Sequence, residues 1–464
     1  MPRILVPLLA ATALAGCTVG PDYHRPDFDA GAGWVEPGTP GPIEAKWWEK
    51  FGDPQLTALV ERALASSPDI AEATARLAEA RANRDAAAGG RDPQVQVQGS
   101  ATENVLSENG QLPIGNFPGF QRDFHLFDLG FDASWEIDLW GRRTRQVQGA
   151  AARVEAAEYA RRDMMLSLVA EIARNYLDLR AAQADVASGE ATAQADADIA
   201  RLTRLRFDAG LASRLDLDRA EGAAKASAAA VADARTRAHA AAYRIAALLG
   251  VPPEEVAPAL LEPKPLPASP DAILVGVRSD LLERRPDVRR AERELAAATA
   301  DVGVATADLF PRFSLVGGIG QQAREPGDLF SGDSTRLQVG PSFSWPIFSG
   351  GTVRAQIRGA DARADAAGAR YVKAVSGALA DSEGAINRFL NASAAERDAA
   401  AARDRENAAY ALAEQRVRAG EDDRVTLARA RQSQLAAQHR HDQAAAAKGQ
   451  AAVALYKALG GSWE

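Results

Sequence analysis

Phe127-Asp128-Leu129-Gly130-Phe131-Asp132-Ala133-Ser134-Trp135-Glu136-Ile137-Asp138-Leu139 alternates without a break, its odd positions apolar and its even ones carrying Asp128, Asp132, Ser134, Glu136 and Asp138. A period of two is the pattern of a strand with two unlike faces. Leu337, Val339, Phe343, Trp345 and Ile347 alternate in the same way against Gln338, Ser342 and Ser344. Shorter partners repeat it: Val95, Val97 and Ala101 against Gln94, Gln96, Gln98 and Thr102, then Phe313, Leu315 and Ile319 against Ser314. Four strands of about ten residues with this patterning suit a transmembrane barrel. A soluble, half-buried sheet alternates identically, so the period by itself leaves both open.

Membrane arithmetic narrows the choice. After Cys17 no apolar run reaches the roughly 18 residues that a spanning helix needs, so any spanning falls to strands. In lipid every backbone polar group must be paired, and four strands are too few to close a barrel with a lumen. Several chains would have to pool their strands. The even positions Asp128, Asp132, Glu136 and Asp138 would then line a wet interior, where they act as a charge filter or are simply solvated.

Outward from the strands, the chain is one unit written twice. Ser67-Pro68-Asp69 returns as Arg285-Pro286-Asp287 and Asp92-Pro93 as Phe310-Pro311, each 218 positions on. Trp135-Glu136-Ile137 returns as Trp345-Pro346-Ile347, Ala209-Gly210 as Ala419-Gly420 and Leu248-Leu249-Gly250 as Ala458-Leu459-Gly460, each 210 positions on. The change of offset places a shorter loop between the two strands of the second copy. In each copy a helix opens at Pro68 or Pro286, where proline and the following aspartate suit a first turn, and ends before Pro93 or Pro311. Two strands and two long helices complete the copy.

Arg143 to Asp208 contains no proline, and Met165, Leu168, Ile172, Tyr176 and Leu179 recur at spacings of three and four. This predicts a packed helix of about 65 residues, about 100 Å long at 1.5 Å per residue. Val372, Val375, Leu379, Ile386 and Phe389 give the second copy the same stripe. Alanine elsewhere favours helix and close approach. Each long helix turns back at Gly210 or Gly420, where glycine fits the left-handed residue that ends a helix. Between the copies, prolines at 252, 253, 258, 263, 265, 267 and 270 mark Val251 to Pro270 as a linker rather than a core element.

The N-terminus reads as a secretory signal: Arg3, an apolar run from Ile4 to Leu14, then small residues before Cys17. Cys17 is the only cysteine among 464 residues, so it forms no internal disulfide. Leu14-Ala15-Gly16-Cys17 resembles a bacterial lipobox, which implies a covalent lipid on Cys17; Thr18, in place of a retention aspartate, implies outer-membrane sorting. The formal charge of -8 gives no basic footprint for nucleic acid. Five histidines, His24, His125, His239, His439 and His441, lack partners at ligand spacing, and Gly317, Gly318 and Gly320 lie inside a strand pattern. Neither an enzyme nor a metal site is expected.

With these features in place the chain resembles the lipoprotein, NodT-type branch of the TolC-like outer membrane factors of RND efflux systems. The resemblance rests on Cys17-Thr18-Val19-Gly20-Pro21-Asp22-Tyr23 with Arg25-Pro26, on Trp47-Trp48, Phe51, Asp53-Pro54, Leu56 and Leu59-Val60, and on Arg285-Pro286-Asp287-Val288 with Ala291-Glu292, Leu295, Ala297-Ala298, Gly303, Ala305 and Phe310-Pro311. It implies a mixed α/β membrane protein: a homotrimer whose 12-stranded transmembrane β-barrel continues into a long periplasmic α-helical barrel, with two structural repeats per chain. The organisation that follows is a signal peptide (1–16), a lipid-anchored segment and equatorial region (17–66), repeat 1 (67–250), a Pro-rich equatorial linker (251–284) and repeat 2 (285–464).

The implied function is a passive outer-membrane duct carrying small molecules from an inner-membrane RND-type pump and a periplasmic adaptor, with no cofactor beyond the lipid. Protein secretion, metal efflux and a pore-less coiled-coil scaffold are the alternatives. Arg206, Gly210, Leu211, Arg416, Gly420 and Glu421 would form the periplasmic tips that meet the adaptor. Many members carry an aspartate on the helix after the second tip that helps close the entrance; the matching position here is Arg429. The candidate gate is therefore Asp422, Asp423, Arg424 and Arg429.

Overall fold

A computed structural model describes residues 18–28, 31, 33–107 and 121–461. The expected signal peptide and acylated Cys17 lie outside the described residues. The order of elements is α1 (Pro54–Ser66), α2 (Pro68–Gly89), β1 (Gln94–Val105), β2 (Asp123–Ile137), α3 (Arg142–Asp208), α4 (Arg214–Leu249), α5 (Pro253–Leu261), α6 (Arg278–Arg284), α7 (Pro286–Ala307), β3 (Arg312–Ala323), β4 (Thr335–Ser344), α8 (Thr352–Arg418) and α9 (Arg424–Ala458). The helix starts at Arg142 and Thr352, and at Arg214 and Arg424, keep the 210-residue offset of the sequence repeat. The expected helices at Pro68 and Pro286 form and stop short of Pro93 and Pro311.

Two compact units cut across the repeats, each drawing residues from both copies. The first comprises Met1–Pro26, Ala78–Ala156 and Ala291–Tyr371. Its centre is one antiparallel sheet in the order β1-β2-β3-β4. The register sets Val97 opposite Phe131 and Phe131 opposite Ile319, while Gln96 opposes Asp132 and Asp132 opposes Gly318. One face is thus apolar and the other polar. The apolar face is bare: Phe131 is 56% exposed and Leu337 73%. The repeats end their strands alike. Trp135 Nε1 donates to the Arg91 carbonyl at 2.8 Å, and Trp345 Nε1 to the equivalent Leu309 carbonyl at 3.0 Å.

Strand bounds differ from expectation at two ends. β2 stops at Ile137, ahead of Asp138 and Leu139. β4 stops at Ser344, leaving Trp345 and Ile347 outside, since Pro346 has no N–H for a ladder.

The second unit comprises Asp27–Leu77, Ala157–Arg290 and Val372–Glu464. Leu168, Ile172, Tyr176 and Leu179 of α3 are buried with Ile245 and Leu249 of α4, Ile386 and Phe389 of α8, and Val453 and Tyr456 of α9. Alanines 173, 241, 242, 246 and 452 fill the narrow spaces between them. Each large side chain so buried stabilises by about 1.5–3 kcal/mol. Val372 departs from the expected stripe and is half exposed. Trp47, Trp48 and Phe51, on a short 3-10 turn, join this core with Leu56 and Val60 of α1. Trp47 stacks on Tyr456 at 5.0 Å. Asp53 caps α1 by accepting from the Gln55 and Leu56 amides at 2.8 and 3.0 Å, and takes the Tyr176 hydroxyl at 2.7 Å.

The expected linker is partly core. α5 forms at its start, with Val256, Ala257 and Leu260 buried. Pro253 occupies a first-turn position and Glu254 and Glu255 meet the positive end of the helix, so this part of the proline-rich stretch starts a helix instead of preventing one. Its last carbonyls are taken up from α3: Gln183 Nε2 donates to Leu260 O at 3.0 Å and Arg180 Nη1 to Glu262 O at 3.0 Å.

Candidate functional site

The expected acidic face divides into two parts. Asp128 and Asp132 share the polar face of the sheet with Gln94, Gln96 and Gln98. They are not alone there, because Arg336 of β4 donates from Nε and Nη2 to the two oxygens of Asp128 at 2.9 and 2.7 Å. Its Nη1 lies 4.0 Å from Asp132. Glu136 and Asp138 have other work. Glu136 is gripped by Arg142 and Arg143, with Nε contacts of 2.9 and 3.0 Å. Asp138 lies beyond β2 and begins α3, accepting from the Arg143 and Thr144 amides at 2.9 and 2.7 Å and from the Thr144 hydroxyl at 2.8 Å. Strand alternation put both in one polar row. Glu136 keeps its place in β2 opposite Ser314, with its carboxylate bound by the two arginines. Asp138 leaves the row because the free amides of the helix start require an acceptor.

A strap formed by the residues that follow Cys17 is held against this same junction. The Val19 amide donates to Trp140 O at 3.1 Å, and Arg145, buried at 4% exposure, donates to Val19 O, Gly20 O and Asp22 Oδ1 at 3.3, 3.3 and 2.7 Å. Tyr23 donates to the buried Glu292 at 3.0 Å. Burial and that carboxylate push the Tyr23 hydroxyl up to about 12. Gly20 has φ +87°, and a Cβ there would stand 2.5 Å from the Gly303 Cα. Only glycine lets the strap lie this close. The Arg145 grip was invisible in the sequence, since nothing local distinguishes this arginine from its neighbours.

At the tips Gly210 and Gly420 have φ of +73° and +78° with nothing within 4 Å of an added Cβ, so both are there for their conformation. The Leu211 amide bonds Arg206 O at 2.7 Å and Gly210 bonds Phe207 O at 2.9 Å; Glu421 bonds Arg416 O at 2.9 Å and Gly420 bonds Val417 O at 3.1 Å. This is the paired closure that satisfies the last carbonyls of a helix. Leu211 is 70% exposed. In the second tip Arg416 Nε donates to Asp422 at 2.6 Å. Asp423 caps α9 through the Thr426 amide and hydroxyl, both at 2.8 Å, and Arg206 of the first tip lies 3.8 Å from it. The bond from the Thr426 amide, with that of its hydroxyl, holds the Asp423 carboxyl below the usual range. Of the candidate gate, Asp422 and Asp423 are engaged. Arg424 and Arg429 make no ion pair among the described residues; Arg206 and Arg416 supply the cations.

Arg285-Pro286-Asp287 is an internal brace. Arg285 donates to both Asp287 oxygens at 3.0 and 2.7 Å and to Ala458 O, the end of α9, at 3.2 Å. Among the described residues no group of three His, Cys, Asp or Glu could hold a metal, and no helix is long and apolar enough to cross a membrane.

The family described as Outer membrane efflux protein matches residues 59–251 and 277–461, one block for each repeat. The chain is 31% identical over 377 residues to Nodulation protein T of Rhizobium leguminosarum bv. trifolii, covering 80% of this chain and 79% of that protein. To the probable efflux pump outer membrane protein TtgC of Pseudomonas putida it is 30% identical over 470 residues, covering 98% and 95%. The solved outer-membrane channel OprN superposes with a TM-score of 0.85 at 39% identity, over 96% of this chain and 100% of that one. With both repeats matched and the NodT relative aligned over most of its length, the chain belongs to the outer membrane efflux protein family, in its NodT-type branch.

Proposed function

We propose that this outer-membrane efflux protein works as a homotrimer, its three sheets closing one 12-stranded barrel and its helical hairpins forming a periplasmic conduit. The observation that carries the reading is the sheet itself. It has four strands with β1 and β4 as unpaired edges and a bare apolar face, on which Val339 and Phe343 are 71% and 70% exposed. Such edges and such a face call for further strands and for lipid. Gel shifts on heating of outer-membrane fractions and conductance in planar bilayers test it. Protein that runs only as a monomer and conducts nothing overturns the duct and leaves a coiled-coil scaffold.

The duct is passive, taking small molecules from a periplasmic adaptor and an inner-membrane RND-type pump; Pseudomonas putida relatives named for antibiotic and for toluene efflux support that cargo class over secreted proteins or metal ions. The tips around Gly210 and Gly420 are the adaptor contact, and the pairs Arg416–Asp422 and Arg206–Asp423 hold the entrance. R206Q/R416Q should raise conductance and drug sensitivity, and unchanged values would remove these pairs from the gate. A lipid on Cys17 anchors the strap. Acyl labelling that survives Cys17→Ala would exclude that site.

A further inference from the structure

We infer that Arg336 sets the charge preference of the conduit, cancelling one of the two aspartates on its inner face so that anionic as well as cationic cargo can pass. The inference rests on the trimeric duct proposed above, in which the polar face lines the lumen. Its basis is a track cleared across the sheet for one side chain. Arg336 of β4 stands opposite Gly320 of β3, and Gly320 stands opposite Gly130 of β2. A Cβ on Gly130 would come within 3.0 Å of the Arg336 Nη2, one on Gly320 within 2.7 Å of the Leu129 carbonyl, and one on Gly318 within 2.6 Å of the Asp132 carboxylate. The Gly318 Cβ would also stand 3.5 Å from the Arg336 Nη1. Gly130 and Gly318 thus leave the guanidinium room to cross β3 and fork onto Asp128, while Gly320 serves the close approach of the β2 backbone. Gln322 also donates to Asp128 at 2.8 Å. Strands lie about 4.8 Å apart, so this side chain bridges two strand spacings, a reach that needs an unobstructed surface.

The rest of that face holds little other free charge. Between Leu126 and Ser134 its ionic side chains are Asp128, Asp132 and Arg336. At the helix end Glu136 is bound by Arg142 and Arg143, and Arg312 is bound by Asp308 at 2.6 Å. At the opposite end Arg324 lies over the Phe124 ring at 4.7 Å. Arg336 and Asp132 are each 32% exposed. Pairs this open contribute little to folding, while charges along a water-filled passage govern which ions enter it. Removing Arg336 takes each chain from one uncompensated carboxylate to two.

Reversal potentials of purified trimers in planar bilayers under a KCl gradient test this. At about 0.1 M salt, where the screening length is about 10 Å, R336Q should raise the K⁺/Cl⁻ permeability ratio roughly threefold or more, and the shift should shrink near 1 M. D128N/D132N should move the ratio the opposite way, and R336K should keep the wild-type value. A purely structural role for Arg336 would lower trimer stability without these opposite signs. Conducting R336Q trimers with an unchanged ratio, or both variants shifting in one direction, would overturn the inference. If R336Q does not assemble, D128N/D132N decides, and no shift toward anions overturns it. Wild-type protein that forms no channel refutes the trimeric duct instead.

Discussion

Arg145→Ala should release the strap, and the structure sets the size of the effect. Arg145 gives the strap three hydrogen bonds, to Val19 O, Gly20 O and Asp22 Oδ1. Hydrogen bonds from a charged donor contribute about 1.5–3 kcal/mol each, and the two carbonyl contacts, at 3.3 Å, belong at the weak end. Asp22 is 71% exposed and regains water when the pair breaks, so that contact counts for less than about 1 kcal/mol. The total is about 3 kcal/mol, which is roughly a hundredfold increase in the open strap. The Val19 amide, bonded to Trp140 O at 3.1 Å, reports that opening directly. Hydrogen exchange at Val19 should accelerate by about that factor in R145A protein of normal heat stability. R145K should fall between, since an ammonium cannot satisfy three spread acceptors at once. Exchange at wild-type rates in folded R145A would show that the other contacts, Tyr23–Glu292 among them, suffice to hold the strap, and the reasoning would fail.

Asp138→Ala removes the acceptor of two α3 amides and should cost about 1–2 kcal/mol in thermal melts, with D138N nearly neutral; since Asp138 is a helix cap, K⁺/Cl⁻ selectivity should stay as in the wild type. Gly210→Ala and Gly420→Ala should each cost about 1–2 kcal/mol of local stability, read as faster exchange around the tips, because both positions have positive φ in open space. Burial raises the Asp163 carboxyl and nearby Asp287 adds to that, so the folded protein binds this proton more readily than the unfolded chain and loses stability as pH rises through the titration. D163N should therefore stabilise the protein at pH 7 by on the order of 1 kcal/mol, read as a higher melting temperature, and a lower one would contradict the assignment. Asp287 runs the other way: burial opposes ionisation but Arg285 outweighs it, so its contribution is present above the ordinary carboxylate pKa and is lost as pH falls through the depressed folded value. D287N melts should accordingly lose their deficit relative to wild type in acid.

The strands, the long helices and the tips were legible because each is written in local periodicity. Strand parity identified Val97, Phe131 and Leu337 as one face, and the run without proline from Arg143 gave α3 nearly to the residue. Glycine at 210 and 420 needed only the knowledge that helices end in a left-handed residue. What escaped depended on residues far apart in sequence. Arg336 has the even parity of Gln338, yet its partner is 208 positions away and its path depends on glycines in two other strands. Asp138 fell outside its expected strand because alternation does not reveal where a strand yields to a helix that needs a cap. Counting prolines concealed α5, whose Val256, Ala257 and Leu260 join the core shared by α3 and α4 and whose last carbonyls are bonded by Gln183 and Arg180.

The repeats have diverged so that each supplies the charge the other lacks. The 210-residue offset makes Leu126 the counterpart of Arg336, and Gln338 the counterpart of Asp128. Repeat 1 therefore contributes the carboxylates of the polar face and repeat 2 the guanidinium, and their bond crosses β3 to join the two copies. The tips follow the same logic in reverse. Ser213 and Asp423 are counterparts and each caps the helix that follows its tip, Ser213 by accepting from the Asp216 amide at 3.1 Å and Asp423 from the Thr426 amide at 2.8 Å. Capping is preserved in both; the negative charge is added only in repeat 2, where it faces Arg206 of repeat 1. Duplicating either copy would lose the Arg336–Asp128 bond, since repeat 1 has leucine where the arginine stands and repeat 2 has glutamine where the aspartate stands. The shared backbone plan explains why the copies fold alike, and these complementary exchanges explain how one chain joins them in a fixed order.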